Sequence, residues 1–496
     1  MPYKISLEKL NDVFFRVNTE QCILAEMSEY FTFKVPGAQF HPKVKAKQWD
    51  GRMRLLNRLN NTIYVGLIDR IKEFAEERGY PLEHNLPTDA PIDESIVNKW
   101  IESLNLPFVP HDYQRDAFLM GIQNKRLLII SPTASGKTLI AYLLTRWFLQ
   151  LEHYKVNTKK ALIIVPTLNL VAQGYKDFLK YAKNDSSFTE KHIHTIYSGQ
   201  EKETTAPIII STWQSLHRLP QSFFNQFDFV LVDEAQNVQA NSLKNILTKC
   251  INVSWRFGTT GTLQGAKCHE MVISGLTGPI YRATTSKELM DEGKLATLKI
   301  NCIVLKHNEA NCKKIKKFQY AEEMAFIISE HQRNKFIRNL AVSMKGNSLV
   351  LFQYIAHGKR LFEDIKQKCE KECPGRKIFL VYGGTDIEDR ENVRTITENE
   401  KDSITVASVG VFSAGADMPN LESVIFASPS KSRIRTLQSI GRGLRVGKTG
   451  KCSLYDMVDD LCHKRHKNFA TKHFLERVAI YDSEQFIYNI YSIDLK

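Results

Sequence analysis

Hydrophobic positions change period along the chain, and the changes divide it into four stretches. Up to about residue 90, alternation and helical spacing take turns. Val13-Phe14-Phe15-Arg16-Val17 alternates as a strand, Gln21 to Tyr30 has helical spacing, Tyr30 to Val35 alternates again, and Ile68 to Arg78 is an amphipathic helix. Pro81, Pro87 and Pro91 then mark a linker. From about 105 to 285, short apolar runs alternate with helical stretches; the runs are Leu127–Ile130, Ala161–Val165, Ile208–Ser211, Phe229–Val232 and Arg256–Thr259. That alternation predicts a parallel sheet with helices on both faces. A short helix with a stop at Gly293 follows, and the alternation resumes from about 297 to 455, with Leu349–Phe352, Ile378–Val381 and Ile404–Ser408 as strands. The last stretch, 456–496, starts at a strand end and has helical spacing over Leu461 to Val478. Its aromatics, Phe474, Tyr481, Phe486, Tyr488 and Tyr491, suit the core of a small helical cap. The expected organisation is a small α+β domain (1–90), a parallel-sheet domain (91–285), a linker with a second such domain (286–455) and a helical C-terminal segment (456–496).

Composition narrows the class. At 496 residues the chain exceeds one core, and about three domains is the natural expectation. A formal net charge of +14 favours a polyanionic partner, above all nucleic acid. Nine scattered cysteines, an odd number, do not make a disulfide framework, and Cys369 and Cys373 lack the second ligand pair a zinc site needs. Reduced thiols in a cytoplasmic compartment are the expectation. The N-terminus lacks the apolar core of a signal peptide, and no apolar run approaches membrane-spanning length.

Candidate chemistry gathers at strand ends. Leu127–Ile130 runs into Ser131-Pro132-Thr133-Ala134-Ser135-Gly136-Lys137-Thr138 and then the apolar run Leu139 to Leu144. Strand, small-residue loop and helix make a phosphate cradle, because successive backbone N–H groups can turn toward one phosphate chain. Lys137 suits the β- and γ-phosphates, and the Thr138 hydroxyl suits Mg²⁺. Ser131 stands where the pattern G-x-x-x-x-G-K-[ST] has its first glycine. Phe229–Val232 ends in Asp233-Glu234-Ala235-Gln236, an acidic pair that can hold Mg²⁺ through Asp233 and orient or deprotonate water through Glu234. In the first stretch, Lys43, Lys45 and Lys47 share one face of a presumed extended strand, and Asp50-Gly51 signals a turn that puts Arg52 and Arg54 on the return strand. Such a hairpin suits a phosphate backbone, or equally a solvated edge guarded by lysines.

Taken in order, these motifs resemble those of superfamily 2 helicases. Pro110-His111-Asp112-Tyr113-Gln114-Arg115 resembles the Q motif, Ser131–Thr138 motif I and Asp233–Gln236 motif II, here D-E-A-Q. Ile164-Val165-Pro166-Thr167-Leu168 resembles motif Ia, Thr260-Gly261-Thr262 motif III, Leu349–Phe352 motif IV, Gly415-Ala416-Asp417-Met418-Pro419 motif V, and Gln438-Ser439-Ile440-Gly441-Arg442-Gly443-Leu444-Arg445 motif VI. The resemblance implies two RecA-like motor domains around one ATP. It gives Gln114 the adenine, residues 133–138 with Asp233, Gly415 and Asp417 the nucleotide, and Arg442 and Arg445 the role of arginine fingers. Pro166, Thr167, Thr212, Gly383 and Ser408 fall where the family touches nucleic acid. Arg442 and Arg445, three apart, face one way on a helical turn, and guanidinium groups suit developing phosphoryl charge.

Phe40, Pro42, Trp49-Asp50-Gly51-Arg52, Leu55-Leu56 and Tyr64-Val65-Gly66-Leu67 extend the resemblance over nearly the whole chain, toward a phage recombination and repair helicase of that superfamily. This implies a monomer that uses ATP and Mg²⁺ in the host cytoplasm to unwind and remodel branched or double-stranded DNA: Holliday junctions, forks, D-loops and R-loops with their RNA–DNA hybrids. Two rivals remain at this level: an RNA helicase or R-loop remover, and a non-unwinding motor subunit of a restriction or remodelling complex.

Overall fold

The computed structural model describes residues 3–86, 90–132, 135–151, 160–197, 202–239, 241–261, 263, 267–413, 420–428 and 451–495. The chain divides into two compact units, one of Met1–Ser131 with Gly136–Thr284, the other of Thr285–Lys496 together with Pro132 and Ser135.

The first unit opens with strands β1 (Ile5–Lys9), β2 (Phe14–Asn18), β3 (Thr32–Lys34), β4 (Arg52–Arg54), β5 (Thr62–Tyr64) and β6 (Leu82–His84). They form a four-stranded sheet in the order β5-β2-β1-β6 and a separate β3-β4 ribbon. Helices Gln21–Tyr30 and Ile68–Arg78 fall where the spacing predicts them, the second stopped by Gly79 at φ 68°. This small sheet has no core of its own. One apolar cluster runs from Phe15, Phe31 and Phe74 through to Leu128, Met271 and Leu276. Gly66 lies against the backbone of the helix Lys267–Leu276, where a Cβ would collide with the Ser274 carbonyl and stand 2.7 Å from that of Gly275. Gly66→Ala is therefore expected to destabilise the unit by about 2–3 kcal/mol. Thermal unfolding checks it, and an unchanged midpoint would mean that the two backbones part without cost.

The rest of the unit is a seven-stranded sheet of β7 (Arg126–Ile130), β8 (Lys160–Val165), β9 (Ile193–Ile196), β10 (Ile208–Thr212), β11 (Phe227–Asp233), β12 (Trp255–Thr260) and β13 (Ile280–Arg282). Every pairing is parallel, in the order β13-β7-β12-β11-β8-β10-β9. Alternate residues feed two separate cores. Leu128, Leu162, Ile164, Val230 and Val232 enter one, while Leu127, Ile129, Ile163, Phe229 and Leu231 enter the other. Both faces are covered, which explains the unbroken apolar runs.

The second unit has its own parallel seven-stranded sheet: β14 (Thr297–Lys306), β15 (Asn347–Phe352), β16 (Lys377–Val381), β17 (Ser403–Ser408), β18 (Leu421–Phe426), β19 (Lys451–Asp460) and β20 (Tyr488–Asp494). Their order is β16-β17-β15-β18-β19-β14-β20. Two such sheets, each with its connecting helices, are tandem RecA-like domains.

The C-terminal helical segment is present as Phe469–Ser483, and it differs from expectation at both ends. Residues 461–468 form a turn closed by a His463–His466 bridge, so the basic residues His463, Lys464, Arg465, His466 and Lys467 are not helical. The helix starts late because the buried Glu323 carboxylate accepts the Phe469 and Ala470 N–H groups at 2.9 and 2.8 Å, placing a negative charge at the helix N-terminus. Asp456 on β19 then holds the helix through Arg477 at 2.8 Å and Tyr481 at 2.9 Å. Phe474, Tyr481 and Phe486 are buried as expected, but Tyr488 and Tyr491 lie on the edge strand β20, and Tyr491 is exposed.

Candidate nucleotide and nucleic-acid site

β7 ends at Ile130, and the helix Lys137–Gln150 begins after Gly136, whose φ is 77°. The first turn of that helix presents backbone N–H groups that no residue of the helix can satisfy. A side chain at Gly136 would be strained by its left-handed backbone and would have to displace the Gln114 amide nitrogen, which stands too close to where a Cβ would be. Gln114 is buried, and its Oε1 accepts the His111 N–H at 2.9 Å. Lys137 Nζ donates to the Ser131 carbonyl at 3.2 Å, and Ser135 Oγ to that of Pro132 at 2.7 Å. Thr133 and Ala134 lie outside the described residues.

Two strands away, β11 delivers Asp233. Thr259 Oγ1, on the neighbouring β12, donates to its Oδ1 at 2.7 Å. Burial, with the Glu234 charge second, pushes the Asp233 carboxyl up, while Lys137 and the Thr259 hydroxyl pull it down. The site thus favours whatever brings positive charge to Asp233. Glu234 has φ 53°, a left-handed backbone that costs a non-glycine residue about 1–2 kcal/mol. Asn237 holds it there, donating to the Glu234 carbonyl from both its backbone and its side-chain nitrogen at 3.0 Å. Gln236 Nε2 donates to Glu234 Oε2 at 2.6 Å, and Thr260 Oγ1 donates to Gln236 Oε1 at 2.5 Å.

Lys137, Thr138, Asp233 and Thr259 share the wall of one cavity of about 50 Å³. The structure therefore brings the two residues expected at a metal, Thr138 and Asp233, to one place. Among the described residues, no three His, Cys, Asp or Glu side chains cluster as a metal cage. A magnesium site of one carboxylate and one hydroxyl, completed by phosphate oxygens, does not need one.

The residues expected on nucleic acid sit at carboxyl ends of strands. Pro166 follows β8, and its carbonyl accepts Gln214 Nε2 at 3.4 Å. Thr167 and Thr212 are helix N-caps, their hydroxyls accepting the N–H groups of Leu170 and Ser215, each at 3.4 Å. In the second unit Ser408 ends β17, and Gly383 lies in the exposed turn after β16. Gly415, Asp417, Arg442 and Arg445 lie outside the described residues.

The basic segment folds otherwise than expected. Lys43 and Lys45 are on a one-turn helix, Pro42–Lys45, and Lys47 has φ 57°, so the three do not share a strand face. His41 caps that helix, its Nδ1 accepting the Lys43 N–H at 3.2 Å, and Pro42 is preorganised for a first helical position. Arg52 and Arg54 do lie on a strand, but β4 pairs with β3, and the lysine segment is the loop between them. Lys43, Lys45, Lys47 and Arg52 are exposed. Arg54 is ion-paired to Asp50 at 2.5 Å, and Arg54 and the Arg52 N–H hold the Asp50 carboxyl down at about 2. Lys34, not among the cations expected on nucleic acid, stands directly opposite Arg52.

Comparison with known proteins decides the family. Residues 5–84 match the family described as DNA helicase UvsW, N-terminal; residues 89–265 match type III restriction enzyme, res subunit; residues 332–447 match helicase conserved C-terminal domain. The ATP-dependent DNA helicase uvsW of Enterobacteria phage T4 is 33% identical over 97% of this chain and 97% of its own length. The chain belongs to the UvsW helicase family. The crystal structure of T4 UvsW superposes with a TM-score of 0.52 at 30% identity, covering 99% of this chain and all of that one. Beyond UvsW, the DNA 3'-5' translocase XPB2 of Sulfurisphaera tokodaii is 23% identical over 75% of this chain and 86% of its own. A putative HsdR subunit of a type I restriction enzyme from Vibrio vulnificus shares the fold, with a TM-score of 0.56 at 16% identity over 89% of this chain and 85% of that one.

In this UvsW-family chain, sequence reasoning missed the side chains that hold the acids. Thr259 was legible only as the end of a strand, and Gln236 only as the last residue of motif II. The fourth position of D-E-A-Q was the available signal, since an amide there both donates and accepts.

Proposed function

We propose that the protein is an ATP-dependent DNA helicase that unwinds and remodels branched DNA: junctions, forks, D-loops and R-loops. One observation carries the reading. Lys137, Thr138, Asp233 and Thr259 share a cavity beside a phosphate loop, in a chain matching a DNA helicase from end to end. Lys137 gives up the Ser131 carbonyl for a phosphate oxygen, and the helix N-terminus behind Gly136 receives the phosphate chain. Glu234 takes the proton of the attacking water. Thr138 and Asp233 would hold Mg²⁺, which would supply positive charge for the phosphates, and the raised Asp233 carboxyl fits that demand. Gln114 borders the phosphate loop at Gly136, and we assign it to the adenine; Gly415 and Asp417 complete the nucleotide contacts. Arg442 and Arg445 stabilise the charge that develops on the transferred phosphoryl.

For DNA, we assign the backbone to Pro166, Thr167, Thr212, Gly383, Ser408 and the β3-β4 loop. The Lys34–Arg52 pair supports the loop's part, because like charges directly opposite on a ribbon repel and a polyanion laid across them relieves the cost. A monomer suffices for this activity.

The test is the rate of ATP hydrolysis without nucleic acid, with single-stranded DNA, with a four-way DNA junction and with matched RNA. Strongest stimulation by the junction is expected. Strongest stimulation by RNA would replace DNA as the track, and no stimulation by any of them would point to a motor that needs a partner.

A further inference from the structure

Gln236 is 5% exposed, and both ends of its amide are engaged. Nε2 donates to Glu234 Oε2 at 2.6 Å, and Oε1 accepts from Thr260 Oγ1 at 2.5 Å. The amide nitrogen faces the acceptor oxygen of Glu234 and the amide oxygen faces the donor hydroxyl of Thr260, so each end meets a partner that suits it. Thr260 is engaged twice as well. Its carbonyl accepts the Ser131 N–H at 2.9 Å, and the Ser131 carbonyl accepts Lys137 Nζ at 3.2 Å. An unbroken line of bonds therefore runs Lys137–Ser131–Thr260–Gln236–Glu234. It starts at the ammonium that meets the phosphates and ends at the carboxylate that meets the water.

We infer that Gln236 is a positioning residue for Glu234, tying its carboxylate through Thr260 to the phosphate loop. The inference rests on the reading of Glu234 as the base. It explains why an amide stands at this position. A carboxylate at 236 accepts from Thr260 but cannot donate to Glu234, and an alanine does neither. It also gives the phosphate loop a route to the base. When Lys137 exchanges the Ser131 carbonyl for a phosphate oxygen, the load on the Ser131–Thr260 bond changes, and Gln236 passes the change to a residue already held in a left-handed conformation.

The experiment is steady-state ATP hydrolysis by the full chain at saturating junction DNA, with ATP affinity measured separately on a fluorescent ATP analogue. Gln236→Ala and Gln236→Glu are expected to lower kcat by about 10²-fold, the cost of misplacing a catalytic group by an ångström, with KM within about threefold. Gln236→His is expected to keep most of kcat, because neutral imidazole donates through one nitrogen and accepts through the other. Thr260→Val is expected to lower kcat, and Gln236→Ala/Thr260→Val to be no worse than Gln236→Ala, since both break one line. The inference is overturned if Gln236→Ala keeps wild-type kcat, if histidine and glutamate at 236 are equally damaging, or if the double variant shows the product of the single losses. Thermal midpoints accompany each variant, and a loss of kcat that tracks the midpoint across the alanine, glutamate and histidine variants also overturns it. Glu234→Gln separates the two layers. If that variant still hydrolyses ATP, the base assignment falls; if it is inactive while the Gln236 variants match wild type, the base stands and the link falls.

Discussion

Glu234→Gln is expected to lower DNA-stimulated ATP hydrolysis by about 10³-fold and to leave ATP affinity within about threefold. The substitution keeps the size of the side chain and removes its capacity to take a proton. The phosphate contacts proposed above lie elsewhere, on Lys137 and the backbone after Gly136, so binding is expected to persist. Single-turnover hydrolysis and equilibrium ATP binding, measured on the same preparation, check the two halves. Surviving hydrolysis would move the base to another group, and lost binding would show that Glu234 supports the cradle rather than the water. Its backbone makes the second outcome concrete: at φ 53°, anchored by Asn237, Glu234 shapes the turn after β11 as well as filling it.

Reversing Lys43, Lys45, Lys47 and Arg52 to glutamate together is expected to weaken junction binding by on the order of 10²-fold or more, and to flatten the salt dependence by about 3.6 in the log–log slope. Each cation on a phosphate contributes about 0.9 to that slope, so the slope counts contacts where affinity alone cannot. All four are exposed, on one loop and its return strand. Arg54 is left out because Asp50 already engages it at 2.5 Å. Hydrolysis without DNA is expected to match wild type, since Lys137, Thr138 and Asp233, the residues proposed for the nucleotide, lie at the end of a different sheet. A slope unchanged by the four reversals would return the loop to the role of a guarded edge.

What was legible in the sequence was what local order determines. Four apolar residues before a small-residue loop, and an acidic pair after Phe229–Val232, announce their strands and their chemistry within a dozen residues. Helices Gln21–Tyr30 and Ile68–Arg78 were legible for the same reason. The lysine segment misled because alternating Lys43, Lys45 and Lys47 fits a strand, whereas His41 and Pro42 start a helix with a cap and a fixed φ. β20 was hidden because Tyr488, Ile490 and Tyr491 also suit a packed helical tail, and only pairing with β14, some 190 residues earlier, makes them a strand. Arg256 shows the limit most plainly. It lies fully buried on β12 between Trp255 and Phe257, and three carbonyls, of Leu276, Cys250 and Leu247, accept its guanidinium at 2.7–2.8 Å. The Thr260–Gln236 bond belongs to the same class, because it exists only once β11 and β12 are neighbours.

The core that the N-terminal sheet shares with the first motor sheet bears on how such proteins diversify. Residues 5–84 have a recognisable family of their own, which invites treating them as a cassette that evolution, or a protein engineer, could move between motors. Phe15, Phe31 and Phe74 pack in one cluster with Leu128, Met271 and Leu276, and Gly66 admits no side chain against residues 274–275. A recipient motor would need a matching apolar face and that same bare stretch of helix backbone. The N-terminal sheet and the engine beneath it are therefore heritable as one piece, and, on the proposed reading of the β3-β4 loop, changes of DNA preference are more accessible in that exposed loop than by exchange of the domain that bears it.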